Sequence, residues 1–135
     1  MFIFIACGEE WTLFKDYCYW FSNKTSTFNG AVAECIGKQS ALVELYGSAE
    51  ENWLRLQSAI QGYTHIWIGV TDLAHEGNFV FVSNNIRVQY MYSNWHKGEP
   101  GGGRAQNCAI ITPSYTEWHD YPCGDKFNYV CKRLV

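Results

Sequence analysis

Six cysteines in a chain of 135 residues constrain this sequence more than any other feature. They stand at positions 7, 18, 35, 108, 123 and 131, and the absence of C-x-x-C pairs argues against a zinc-ribbon site. An even number of cysteines in so short a chain is typical of a domain stapled by disulfides in an oxidising compartment. The count therefore predicts three bridges in a secreted, extracellular protein. Six cysteines allow fifteen pairings, and their spacing does not choose among them.

Charge and hydropathy exclude two classes of partner. The net charge is −3, and ten Lys and Arg are scattered among thirteen Asp and Glu without a basic stripe, so we expect no nucleic-acid partner. No apolar run approaches the roughly 18–20 residues that cross a bilayer, so we expect no membrane span. We interpret residues 1–135 as one domain, with residues 1–6 as an N-terminal strand or a leader remnant. Asn23-Lys24-Thr25 is a candidate glycosylation sequon.

Two helical segments precede a run of strands, which predicts an α+β domain with short antiparallel β-sheets. The first helix is expected over residues 27–36. For the second, Ser48 and Glu51 have capping-box spacing, and Gly62 ends the apolar periodicity. Residues 93–106 are rich in glycine and form a long loop, which in a compact domain is usually functional or disordered. Strands are predicted at residues 66–70, 79–82, 87–90, 108–111, 116–118 and 128–131.

Several motifs in this order resemble long-form C-type lectin-like domains of the secreted invertebrate type. They are Cys7-Gly8-Glu9-Glu10-Trp11, Trp67-Ile68-Gly69-Val70, Glu99-Pro100-Gly101 and Trp118-His119-Asp120. The similarity extends from Cys7 to Lys132. It implies the C-type lectin-like fold, with two helices, a long glycine-rich binding loop and three bridges: Cys7–Cys18, Cys35–Cys131 and Cys108–Cys123. Trp67 and Trp118 are then expected in the core.

The resemblance also implies a calcium site that is incomplete in this chain. In the sugar-binding members, calcium bridges protein oxygens and two sugar hydroxyls. Glu99 and Asp120 keep their carboxylates, but Gly101 has no side chain where the motif has asparagine. Gln106 replaces a glutamate, and His119 offers a nitrogen, which suits Ca²⁺ poorly.

The second calcium position of the family is similarly depleted. Asp72 and Glu76 fit it, whereas Gly102 and Asn107 stand where further carboxylates are expected. We therefore expect weak or absent calcium and no required cofactor at the sugar site. The weak calcium candidates are Asp72, Glu76, Glu99, Gln106 and Asp120.

The retained polar loop favours a carbohydrate-binding lectin that works largely without calcium. The expected ligand is an N-acetylhexosamine, either N-acetylglucosamine or N-acetylgalactosamine. A role in glycan recognition or innate immunity and a homo- or heterodimer would fit such a lectin, because single sites bind weakly. The alternatives are a protein-binding module and an ordinary calcium-dependent lectin. No nucleophile elbow is present, so we predict no enzyme activity. The candidate ligand-binding residues are Glu99, Gly101, Arg104, Gln106, Asn107, His119 and Asp120.

Overall fold

The computed structural model describes residues 7–101 and 105–135. The interpretations placed on residues 1–6, and on Gly102 and Arg104, therefore lie outside the described residues. Neither helix in the described part of the chain is long and apolar enough to cross a membrane. The helices are α1 (Phe28–Gly37) and α2 (Ser48–Gln61), and the strands are β1 (Trp11–Phe14), β2 (Tyr17–Phe21), β3 (Ala41–Leu42), β4 (Ile66–Thr71), β5 (Val80–Phe81), β6 (Cys108–Thr112), β7 (Tyr115–Tyr121) and β8 (Asn128–Leu134).

The strands form one eight-stranded sheet with the order β1-β2-β8-β4-β6-β7. In addition, β3 pairs with β8, and β5 pairs with β4. The pair β4–β8 is parallel, and the other strand pairs of the sheet are antiparallel. The last strand, β8, thus lies between β2 and β4, near the middle of the sheet. The predicted α+β class, with two helices and a mainly antiparallel sheet, is confirmed.

The three predicted disulfides are all present. Cys7–Cys18 joins the N-terminal segment to β2, and Cys35–Cys131 joins α1 to β8. Cys108–Cys123 joins the start of β6 to the segment that follows β7. This last bridge anchors the glycine-rich loop at its C-terminal base, because only Asn107 separates Cys108 from residues 93–106.

The first helix follows its local sequence closely. Thr27 caps α1, and its hydroxyl accepts a hydrogen bond from the backbone N–H of Gly30 at 3.1 Å. For α2 the predicted capping box is wrong. Gly47 is the N-cap and makes no side-chain cap bond, while Ser48 is already helical. The reason is tertiary, since the Glu51 side chain points into the core rather than back to the helix terminus.

The strand predicted at residues 87–90 is also wrong. Val88–Tyr90 forms a 3₁₀ helix, and β5 is shorter than the 79–82 segment predicted for it. One bridge, Val80–Arg87, is all that pairs the two segments. Val88 is buried in the core, and its backbone N–H donates to the Phe79 carbonyl at 3.1 Å. Burial of this one side chain turns the chain inward before a second strand can form.

The two tryptophans predicted for the core are fully buried. Trp67 packs with Phe28 and Tyr129, and its indole N–H donates to the Ser26 carbonyl at 2.8 Å. Trp118 belongs to the other main cluster, which packs α2 against the sheet. Trp118 therefore anchors β7 to the core next to His119 and Asp120, which are predicted to bind ligand.

Candidate functional site

The start of the glycine-rich loop is tied to β7 by backbone hydrogen bonds. The N–H of Trp118 donates to the Asn94 carbonyl at 2.6 Å, and the N–H of His96 donates to the Trp118 carbonyl at 2.9 Å. These bonds make a short parallel bridge between Trp95 and Trp118. As a result, Glu99 approaches the end of β7 where Asp120 lies.

Glu99 and Asp120 meet through both backbone and side chain. The Asp120 N–H donates to Glu99 Oε2 at 3.0 Å. A hydrogen bond that protonated Glu99 makes with the Asp120 carboxyl, followed by partial burial, raises the pKa of Glu99 above its ordinary value. The Glu99–Pro100 peptide bond is cis. The two retained carboxyls of the resemblance are thus adjacent and hold the loop against β7.

An open cleft of about 310 Å³ lies beside this pair. It brings together three of the predicted ligand-binding residues and both carboxylates of the second predicted calcium position. Two apolar side chains complete its wall. The lining residues are Asp72, Glu76, Gly77, Phe79, Pro100, Gly101, Gln106 and Asp120. We call this the loop cleft.

Asp72 is buried in the wall of the loop cleft to the same degree as Asp120. Its side chain is 2% exposed, and Oδ2 accepts a hydrogen bond from the Gly77 N–H at 2.7 Å. Its Oδ1 is buried without a hydrogen-bond partner in residues 7–101 and 105–135. Burial, reinforced by the neighbouring Glu76 carboxylate, raises the pKa of Asp72. Asp72 is therefore an acceptor that a cation or a ligand donor would satisfy.

In the described part of the chain, few side chains are placed to bind calcium at the position of Glu99 and Asp120. A side chain at residue 101 would place its Cβ 2.9 Å from the Gly98 carbonyl oxygen, so the backbone leaves no room there for the missing asparagine. Within residues 7–101 and 105–135, no three His, Cys, Asp or Glu side chains come together closely enough to hold a metal ion. Calcium prefers six to eight oxygens. The described residues alone therefore do not assemble a complete set of calcium ligands.

The sequence predicts that His119 lies with the other ligand-binding residues, but His119 does not line the loop cleft. Side chains alternate along β7, so His119 points away from the face that buries Trp118 and Asp120. Its ring stacks on His96, with centroids 5.0 Å apart and planes 28° apart. Burial, followed by the nearby His96, lowers the pKa of His119. His119 is therefore a stacked ring with a lowered pKa on the face of β7 opposite Asp120.

Asn107 lies at the base of the loop. Its backbone carbonyl accepts hydrogen bonds from Thr71 Oγ1 at 2.5 Å and from the Asp72 N–H at 3.1 Å. Asn107 thus holds the strand end that carries Asp72. Arg104, the remaining candidate, lies outside the described residues.

Glu51 is an important residue that the sequence analysis assigned to the wrong role. Oε1 accepts hydrogen bonds from the Tyr92 hydroxyl at 2.9 Å and the Trp118 indole N–H at 3.0 Å. Oε2 accepts from Asn94 Nδ2 at 2.9 Å and from the guanidinium of Arg55, with which it forms a buried ion pair. Glu51 therefore links α2 to both the loop start and β7. The i, i+4 spacing of Glu51 and Arg55 was the one local signal for this pairing.

Comparison with known proteins settles the family. The model of the Lectin C-type domain matches residues 24–133. The chain belongs to this family. Its members bind carbohydrate and are not enzymes, in agreement with the sequence-based prediction.

Relatives are found in vertebrates and invertebrates. The chain is 32% identical to CD209 antigen-like protein C of Mus musculus over 127 residues, covering 94% of this chain and 69% of the relative. It is 28% identical to the perlucin-like protein of Mytilus galloprovincialis over 131 residues, covering 94% and 83%. It spans only 35% of the CD209 antigen of Papio hamadryas, at 31% identity and with 94% of this chain covered.

Solved structures agree with this C-type lectin domain throughout its length. The mouse scavenger receptor C-type lectin carbohydrate-recognition domain matches with a TM-score of 0.85 and 29% identity, covering 95% of this chain and 96% of that one. The cow CD23 carbohydrate-recognition domain, in the presence of a GlcNAc2Man3 oligosaccharide, matches with a TM-score of 0.84 and 31% identity, covering 96% and 97%.

Proposed function

We propose that this C-type lectin domain binds a terminal N-acetylhexosamine in the loop cleft, largely without calcium. The observation that carries the proposal is the composition of the cleft: carboxylates and an amide stand beside the apolar Phe79 and Pro100, while the metal donor set is incomplete. Carbohydrate sites need this mixture of hydrogen-bonding groups and apolar surface.

An acetamido group matches the two kinds of lining. Its N–H can donate to the Asp120 carboxylate, and its carbonyl oxygen can accept from the Gln106 amide. Its methyl group gains from contact with Phe79 or Pro100, by about 0.8 kcal/mol on the transfer scale. Each hydrogen bond adds roughly 0.5–1.5 kcal/mol. A sugar that lacks the acetamido group forfeits these contacts, so we expect a preference for N-acetylglucosamine or N-acetylgalactosamine.

Isothermal titration calorimetry tests the proposal with N-acetylglucosamine, N-acetylgalactosamine, glucose and mannose, each in EDTA and in calcium. We expect the N-acetylated sugars to bind more tightly, with little effect of EDTA. Gln106→Ala should weaken binding by about two- to tenfold, the range of one hydrogen bond. Gln89→Ala is the matched control, because Gln89 is exposed on the 3₁₀ helix away from the cleft. A preference for mannose or glucose would refute the acetamido argument.

One observation favours a second candidate, ordinary calcium-dependent sugar binding. The buried Asp72 Oδ1 has no hydrogen-bond partner in the described residues, and a cation would satisfy it. Binding that disappears in EDTA and returns with calcium would establish this alternative.

A protein-binding role is favoured by the exposed side chains of Tyr90 and Met91, which are 69% and 55% exposed. Failure of every sugar to bind, together with micromolar or tighter binding of a protein, would establish that role instead.

We also propose that the protein is secreted and acts in extracellular glycan recognition, such as innate immunity, as a homo- or heterodimer. Three disulfides support an oxidising compartment. A dimer would raise the avidity of weak single sites. Light scattering coupled to gel filtration measures the oligomeric state, and a strictly monomeric protein would contradict the dimer.

A further inference from the structure

The second helix, α2, buries charged residues and exposes aliphatic ones. Only one of its four buried residues is apolar; they are Glu51, Leu54, Arg55 and Ser58. On the opposite side of the helix, Leu56 is 59% exposed and Ile60 is 69% exposed. A surface helix of a globular domain ordinarily turns its apolar residues toward the core and its charged residues toward water. The exposed side of α2 is therefore available to a partner.

The outward-facing apolar residues of α2 have the spacing of a helix–helix contact. They are Ala49, Trp53, Leu56 and Ile60, and we call them the α2 seam. Intervals of four, three and four residues place them in one row along the helix, as in the contact row of two paired helices. The Trp53 ring is partly buried because it stacks on Phe14, with centroids 4.5 Å apart, which fixes its position in the row.

The helix carries no exposed charge beside the α2 seam. Every residue of α2 lies in the described part of the chain, and its three charged side chains form ion pairs inside the domain and are at most 13% exposed. The residues that border the seam include two amides, Asn52 and Gln57. An amide side chain both donates and accepts hydrogen bonds, so it can pair with another amide. A helix that binds an anionic membrane instead has Lys and Arg beside its apolar face, so the border of α2 does not suit a membrane.

Two copies of the α2 seam complement each other when the helices pack antiparallel. A two-fold contact sets the same surface against itself, and intervals of four, three and four residues read the same in both directions. Trp53 then lies opposite the partner's Leu56, and Ala49 lies opposite the partner's Ile60. The small alanine leaves room for the larger isoleucine, so the two rows can interdigitate.

The border amides fit the same register. Asn52 lies opposite the partner's Gln57 at two equivalent places in the dimer, and each pair can exchange hydrogen bonds. We propose that the α2 seam is the contact surface of a homodimer in which the two α2 helices pack antiparallel. This inference rests on the proposed function, because it identifies the surface through which the proposed dimer forms. Two sugar sites in one dimer would raise the avidity for a surface that displays many glycans.

Sedimentation equilibrium of the whole chain over about 1–100 µM tests the homodimer. We expect a dissociation constant on the order of 10 µM, because a contact between single helices buries less than the roughly 800 Å² per partner of a standard interface. Ile60→Glu should raise this constant about tenfold or more, since it places a carboxylate in an apolar contact. Ile60 is exposed in the monomer, so the variant should keep its fold. Ile36→Glu is the matched control and should leave the constant unchanged, because Ile36 is 65% exposed on α1, outside the α2 seam.

Paired charge substitutions test the register. Asn52→Lys combined with Gln57→Glu sets opposite charges against each other twice in the antiparallel dimer. Asn52→Lys combined with Gln57→Lys sets like charges against each other at the same places. We expect the first double variant to dimerise about tenfold more tightly than the second at low salt, with a smaller difference at high salt. Equal dissociation constants at low salt would refute the antiparallel register.

The α2 seam is overturned if the wild-type chain stays monomeric over the whole concentration range, or if Ile36→Glu weakens the dimer as much as Ile60→Glu does. A dimer that is as tight in Ile60→Glu as in the wild type would refute the seam and keep the dimer of the proposed function. Calorimetry with N-acetylglucosamine should give the same affinity for Ile60→Glu and the wild type. Absence of sugar binding by both proteins would refute the proposed sugar site, while the sedimentation result would still decide the seam.

Discussion

Removal of the Glu51 carboxylate should destabilise the domain more than any single surface change. Glu51 is 1% exposed and Arg55 is 7% exposed, so Glu51→Ala leaves a buried guanidinium without its counter-ion. It also removes the acceptor for the Trp118 indole N–H. Loss of one partner from a buried ion pair costs about 3–5 kcal/mol. Tyr92 and Asn94 are partly exposed and can turn to water, so we expect about 4 kcal/mol in total.

Denaturant unfolding and thermal melting under non-reducing conditions measure this loss. For a domain of this size, a loss of about 4 kcal/mol lowers Tm by about 15 °C. In a double-mutant cycle, Glu51→Ala and Arg55→Ala should show a coupling free energy of about 2–3 kcal/mol. Such coupling is expected only if the two charges stabilise each other in the native state.

A surface ion pair in the same protein provides the control. Lys24 and Glu34 approach to 3.3 Å, but their side chains are 69% and 43% exposed. Glu34→Ala should therefore change the free energy of unfolding by less than about 1 kcal/mol. If Glu51→Ala lowered the free energy of unfolding no more than Glu34→Ala, the buried Glu51 network would add no more stability than a surface ion pair. That result would refute the reasoning.

Three further outcomes are expected. Replacing Cys35 and Cys131 with alanine should cost about 4–5 kcal/mol in the chain-entropy model, because their bridge closes a separation of 96 residues, and unfolding in denaturant checks the loss. Asp72→Asn in EDTA should raise Tm at pH 7. The pKa of Asp72 is raised in the folded protein, so ionising this carboxyl above its ordinary pKa lowers the free energy of unfolding. The increase in Tm should therefore vanish near pH 4, where the carboxyl is largely protonated in both states. A lower Tm for this variant at pH 7 would contradict that sign. Asn23 is exposed between β2 and α1, so secretion from eukaryotic cells should add a glycan mass that Asn23→Gln removes; equal masses would refute it.

Local sequence signals predicted the elements whose determinants are local. The first helix was placed within one residue because Thr27 supplies its cap from the adjacent sequence. The hairpin of β1 and β2 was missed, since its two-residue turn is Lys15-Asp16, with Lys15 at φ 54°, rather than a glycine or asparagine turn. The disulfide pairing followed from the resemblance alone, because β8 reaches α1 only through the tertiary fold.

The candidate site was predictable in composition but not in orientation. Gln106 and Asp120 of the expected sugar site and Asp72 of the second expected calcium position line one cleft, although the sequence analysis treated them as two sites. It placed His119 with them, although neighbouring residues on a strand face opposite sides. Glu51 was assigned to a helix cap because the capping pattern is local, whereas its true partners, among them Trp118, are distant in sequence.

Protein hydrogen bonds join the start of the glycine-rich loop to β7 beside the loop cleft. Glu99 accepts the Asp120 N–H, and the His96 N–H donates to the Trp118 carbonyl, so the loop start is bonded to β7 on both sides of His119. A cation at Glu99 and Asp120 would have to compete with the hydrogen bond that these two carboxyls make with each other. Calcium bound at this position would therefore have to displace that carboxyl contact. Under the proposed function, these protein contacts would hold the cleft in shape with or without calcium.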